Sequence, residues 1–151
     1  MANTQAMTTS FKGEILTATH NFGVAPIRAA TTADTFKAAL YVTTATLGAA
    51  TTAYTVTGEV SGTGYTPGGV TVTNATPPAT SGTTAYWTPS ASITYSSVTL
   101  STAFDAVLIY NSSQSNKAVS VHTFGSQTIT AGTFTLLMPA NAAGTALINI
   151  A

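Results

Sequence analysis

Apolar residues recur at helical spacing near the start of the chain and at every second position through most of the rest. Phe11, Ile15, Ala18 and Phe22 fall on one stripe of a predicted helix spanning Ser10 to Phe22. Thr9 or Ser10 can cap it, Glu14 sits near its positive end, Gly23 is placed to close it, and Pro26 lies where no helix could continue. Gly13 weakens the element, so its stability has to come from packing Phe11, Ile15 and Phe22 against a partner surface. Met1 to Thr9 reads as a flexible N-terminal arm, leaving residues 10–151 as one domain.

From Ala30 onward the period is 2. Thr35 to Thr43 is the first strong strand, with Phe36, Ala38, Leu40 and Val42 sharing a face. Ala53 to Val60, Val70 to Thr73 and Ala85 to Trp87 follow as shorter strands, separated by the glycine-rich stretch Ser61 to Gly69 and the Pro-containing surface connection Asn74 to Thr84. In Ile93 to Leu100 the apolar residues change parity, and a bulge at Ser96-Ser97 would return Ile93, Tyr95, Val98 and Leu100 to one side. Phe104 to Tyr110 is nearly continuous in apolar character, as a central strand buried on both faces would be. Ala118 to Phe124, Gln127 to Ile129, Thr133 to Met138 and Leu147 to Ile150 complete the set. One helix and many short strands predict a mainly β fold, an antiparallel β-sandwich or jelly roll with one short N-terminal helix.

Composition sharpens this picture. Only 5% of the 151 residues are charged, and the net charge is zero. About 25% is usual for soluble domains. Thr supplies much of the polarity instead; it is β-branched, suits strands, and sits against other proteins without the desolvation cost of a charge. With hydrophobic residues at 44% the chain can bury enough surface to fold. Four scattered basic residues, Lys12, Arg28, Lys37 and Lys117, cannot build a groove that displaces phosphate counterions, so no nucleic-acid role is expected. The absence of a long apolar run argues against a membrane span, and the N-terminus has no secretory pattern, so synthesis in the cytoplasm is expected.

Candidate chemistry is sparse. Gly58 to Gly68 superficially suggests a phosphate loop, but it has neither the spacing, a following Lys nor a following helix. His20 and His122 have few possible partners; Glu14 and His20 would lie on different faces of the helix. Asp105 beside the central run reads as a turn cap or an ion-pair partner rather than a catalytic acid. No catalytic residue, cofactor or metal is expected. Tyr65, Tyr86 and Trp87, with Tyr54 and Tyr95, are candidate ligand or contact aromatics, Tyr86 and Trp87 pointing to opposite sides of their strand.

The succession of the Ser10–Phe22 helix, the Thr35–Tyr41 strand, the Glu59–Tyr65 turn and the Ser97–Leu100 segment running into Phe104–Tyr110 resembles a widespread family of small virion structural proteins of tailed bacteriophages. The resemblance implies a non-enzymatic, β-rich particle component located in the virion. Its expected role is capsid decoration, a cement protein contacting the major capsid protein, other virion proteins and its own copies as a homo-oligomer. The alternative it leaves open is a tail fibre or tail-tip component binding a host receptor or glycan.

Overall fold

A computed structural model describes residues 3–16, 19–20, 22, 33–74 and 76–150. The chain is mainly β, with antiparallel sheets and one short N-terminal helix. Strands β1 (Ala6–Met7), β2 (Phe36–Val42), β3 (Val70–Thr71), β6 (Ile93–Asn111) and β7 (Lys117–Leu136) form a five-stranded sheet in the order β1-β7-β6-β2-β3. Strands β4 (Ala79–Ser81), β5 (Thr84–Trp87) and β8 (Ile148–Ile150) form a second sheet in the order β4-β5-β8. Helix α1 (Thr9–Leu16) connects β1 to the segment leading into β2.

The apolar run at the centre of the chain lies where its pattern demands. Residues 104–110 of β6 pair on one side with β2, from Phe104↔Val42 to Tyr110↔Lys37, and on the other with β7. Phe36, Ala38, Leu40, Phe104, Val107 and Ile109 face one core, which Trp87 of β5 and Ile148 of β8 complete from the second sheet. Ala39, Tyr41, Ala106, Leu108 and Tyr110 face the other, under the connection that carries Ala45 and Leu47. Strands covered on both sides have no face that needs polar residues.

The β6–β7 hairpin bends at its irregularities. Register shifts between Tyr95 and Val98, with Ser97 at φ 55°, and the bulge returns Ile93, Tyr95, Val98 and Leu100 to the core side as the parity change predicts. The three strands expected across 118–138 are instead one strand, β7. Gly125-Ser126 and Ala131, at φ 47°, are absorbed as irregularities in the ladder rather than breaking it.

Other expectations are corrected. Residues 3–8 of the expected arm are laid on the sheet: β1 pairs Ala6 with Val121 and Met7 with Ser120, and Asn3 donates to Val42 O (3.1 Å) and Asp105 Oδ1 (2.6 Å). The helix cap is Thr8, whose buried hydroxyl accepts from Phe11 N–H at 3.3 Å. The described helix ends at Leu16, before the expected Phe22, and Thr19 N–H returns to Glu14 O; Gly23 and Pro26 lie outside the described residues. Ala53 to Val60 is not a strand. A turn closed by Glu59 N–H to Val56 O, with Gly58 at φ 80°, leaves Val56 69% exposed while Tyr54 turns inward. The Asn74–Thr84 connection contains β4, which forms a hairpin with β5 around Gly82.

Candidate functional site

Of the six candidates Phe11, Ile15, Phe22, Tyr65, Tyr86 and Trp87, the structure gathers all but Tyr65 into one apolar cleft of about 150 Å³ between α1, β5 and β8. Phe11 is buried, Phe22 half-buried, and the two lie edge to face with centroids 5.8 Å apart. Phe22 stacks on Phe36 at 4.4 Å and leans on Trp87 at 4.7 Å. Trp87 is 2% exposed and its indole N–H donates to Thr76 O at 2.9 Å, so it is part of the core. Tyr86 is half-buried and lines the same cleft, despite the alternation that predicts opposite sides. Ile15 and Ile150 form its rim, 37% and 41% exposed. Of the expected helix face, Phe11 is buried in the core, Phe22 follows the described helix and is half-buried against Phe36 and Trp87, and Ile15 stays partly exposed.

Below this cleft runs a polar clasp that sequence spacing did not reveal. His20 lies beyond the described helix, and its Nε2 stands 2.6 Å from Glu14 Oε2. Asn111 fixes the tautomer. Its Oδ1 accepts from Ser113 N–H, and its Nδ2 donates to Asp34 Oδ2 (2.9 Å) and lies 3.0 Å from His20 Nδ1. Nδ1 is then the acceptor, and Nε2–H donates to Glu14. Burial pulls the His20 imidazole below its ordinary value, against the opposing pull of Glu14 and Asp34, so the ring is neutral at neutral pH. For Glu14 burial pushes the carboxyl up, but the hydrogen bonds from Lys117 (2.5 Å) and His20 outweigh it and the net shift is downward.

The sixth candidate, Tyr65, is elsewhere and cannot stack on a ligand as an open platform. It is 9% exposed, stacked on Tyr95 at 6.0 Å, and its hydroxyl donates to Glu59 Oε1 at 2.7 Å while accepting from Leu40 N–H at 3.1 Å. Tyr54 donates to the other oxygen of Glu59 at 2.7 Å and stacks on Tyr110 at 4.8 Å. Burial, then the hydrogen bond to the Glu59 carboxylate, pushes the Tyr54 and Tyr65 hydroxyls well up; burial takes Tyr110 to about 12. The reason for this cluster is an edge. β3 pairs with β2 only at Lys37 and Ala38, so the outer edge of β2 beyond them is covered by Tyr65, by Val60 N–H to Leu40 O and by Val42 N–H to Gly58 O.

All four carboxylates are thus held by the chain's own donors: Glu14 by Lys117 and His20, Asp34 by Asn111 and Gln114, Glu59 by Tyr54, Tyr65 and Gly68 N–H, and Asp105 by Asn3. Asp105, expected to cap a turn or pair with Lys or Arg, accepts instead from the Asn3 side-chain amide. His122 Nε2 lies 2.9 Å from Ser120 Oγ, with no carboxylate hydrogen-bonded to its ring among the described residues. Among those residues no three His, Asp or Glu side chains gather to hold a metal.

Comparison with known proteins returns no matching family, no matching curated protein and no matching solved structure. The functional reading therefore rests on this geometry and on the sequence pattern. The apolar cleft can take up an uncharged side chain, and its rim residues are among the few large apolar groups left exposed. Sequence reasoning found its residues through helical and strand periodicity; the internal use of every acid had no such signal, because each partner lies far along the chain.

Proposed function

We propose that this chain is a non-enzymatic structural protein of tailed-phage virions, a capsid decoration protein that works by protein–protein contact. The assembly part of the reading is carried by one observation: the exterior is almost free of charge. Residues 60–104 and 118–151 contain no Asp, Glu, Lys or Arg, and the four acids outside those stretches are tied up internally. The exposed positions of the β6–β7 hairpin are largely hydroxyls and small residues, among them Thr94, Ser101, Thr102, Thr128, Thr130, Thr133 and Thr135. Such a surface repels nothing and can be desolvated against another protein at low cost. The cleft rimmed by Ile15, Tyr86 and Ile150 is the proposed contact centre, since each large apolar side chain fully buried there contributes roughly 1.5–3 kcal/mol. The virion setting is supported by the resemblance of the sequence pattern alone.

The test is quantitative mass spectrometry of purified virions, before and after a wash in about 1 M salt, where the Debye length falls to about 3 Å. A copy number on the scale of the major capsid protein, retained through the wash, is expected. Absence from particles refutes the virion setting, and release by salt refutes an uncharged contact.

A further inference from the structure

A second cleft lies on another part of the molecule, where the glycine-rich stretch crosses between β2 and the bulged half of β6. Its volume is about 410 Å³, within the range of small-ligand sites. The walls are rigid for a stated reason. Gly69, at φ 71°, passes so close to β2 that a Cβ there would stand 1.7 Å from Ala38 O; at Gly64, φ 77°, it would stand 2.2 Å from Ser97 O. Thr63 bridges to Thr99, and Tyr95 Oη donates to Ala38 O at 2.8 Å. The stretch excluded as a phosphate loop by its sequence thus becomes one side of a preformed pocket.

The lining is chemically specific. Tyr65 and Tyr95 form its floor, buried and stacked on each other, their hydroxyls engaged elsewhere. Thr66, Thr71, Thr94 and Ser96 bring exposed hydroxyls, of which those of Thr66, Thr71 and Ser96 make no hydrogen bond within the described chain. Lys37 reaches in from β2 beside Gly68 and has no carboxylate partner among the described residues, whereas Lys117 is paired with Glu14. In a protein whose acids are all hydrogen-bonded by its own groups, a half-buried lysine lining a cleft with free hydroxyls asks for an anionic group from outside.

We propose that this cleft binds a monosaccharide-sized, hydroxyl-rich ligand carrying one negative group, an acidic sugar, with Lys37 on the anion and the Thr and Ser hydroxyls on the ring hydroxyls. The inference goes beyond the decoration reading and stands independently of it, since it requires only the isolated chain.

The test is an NMR titration of the isotope-labelled chain with glucuronate, beside glucose, acetate and inorganic phosphate. Saturable shifts confined to Lys37, Thr66, Thr71, Thr94 and Ser96 are expected with glucuronate, at concentrations where glucose and acetate give at least tenfold weaker responses. Lys37→Met, which keeps the aliphatic stem, should weaken binding at least tenfold with an unchanged thermal midpoint. A Thr71→Val, Ser96→Ala double variant, altered only at exposed positions, should weaken it several-fold. Equal responses to phosphate or acetate would overturn the sugar assignment. Absence of saturation, or unaltered binding by both variants, would overturn the site.

Discussion

Acid should loosen this protein through its two partly buried histidines, and the share of His122 can be isolated. His122 sits on β7 and lines a small cleft together with Gln5, Ile93, Val107, Ile109, Leu136 and Met138, and burial lowers its imidazole from 6.5 to about 4. A folded-state value below the unfolded one means that the unfolded chain binds the proton first. The stabilisation is therefore complete above about pH 6.5 and is lost as the pH falls from there toward about 4. At roughly 1.4 kcal/mol per pH unit the full effect would be about 3.5 kcal/mol; the ring keeps some solvent contact, which brings the expectation to about 2 kcal/mol. Urea denaturation at pH 7 and pH 4 reads it, with His122→Gln as the comparison. Glutamine can still hydrogen-bond Ser120 Oγ but does not titrate. His20 is lowered as well, and the carboxyl of Glu14 too, but both proteins carry them and their contributions cancel in the difference. The wild type should lose about 2 kcal/mol more than the variant between the two pH values. Parallel pH profiles would show that His122 is free to take up a proton in the fold, and the burial argument would fail.

Two further substitutions test the covering of the β2 edge. Glu59→Gln keeps the shape but removes the charge that accepts from Tyr54, Tyr65 and Gly68 N–H; a loss of about 2–3 kcal/mol is expected in thermal or urea unfolding. In the same variant the phenols of Tyr54 and Tyr65 should ionise at lower pH than in the wild type, read by ultraviolet titration, because the carboxylate that holds them protonated is gone. Gly69→Ala places a methyl group against Ala38 O at a φ of 71°, so it should cost at least about 3 kcal/mol or prevent folding. A variant as stable as the wild type would mean that the loop does not lie where it is described.

Period and parity made the β6 region readable. The unbroken apolar character of Phe104–Tyr110 has one comfortable location, between two cores, and the parity slip at Ser96-Ser97 has one comfortable geometry, a bulge. The same reasoning failed at Ala53–Val60, where alternation is only as strong as Tyr54 and Val56, and a glycine at positive φ turns the chain instead. It divided β7 into three because Gly125 and Gly132 look like breaks, whereas a hairpin already held along β6 absorbs them as irregularities. The site was half legible. Phe11, Ile15 and Phe22 declare themselves by spacing, and strand position places Tyr86 and Trp87, but nothing local says that these groups meet. The Glu14–His20 contact was hidden by extending the helix to Phe22, which puts the two on different faces; a helix ending at Leu16 reverses that conclusion.

The neutral exterior and the internal acids are two sides of one arrangement. A chain without cysteine has no covalent ties, and here the carboxylates take over that work. Glu14 ties α1 to β7, Asp34 ties the entry of β2 to the β6–β7 turn, Asp105 ties the N-terminal segment to β6, and Glu59 ties the covering loop to its own tyrosines. Each tie is shielded or partly shielded from water, so it is screened less by salt than a surface pair would be. What the described surface presents, Lys37 apart, is mostly hydroxyl and apolar groups, whose attractions are short in range and depend on fit. In the proposed decoration role such a surface would find its partner by shape and keep it by exclusion of water, and confinement among copies on a particle would take the place of long-range electrostatic steering.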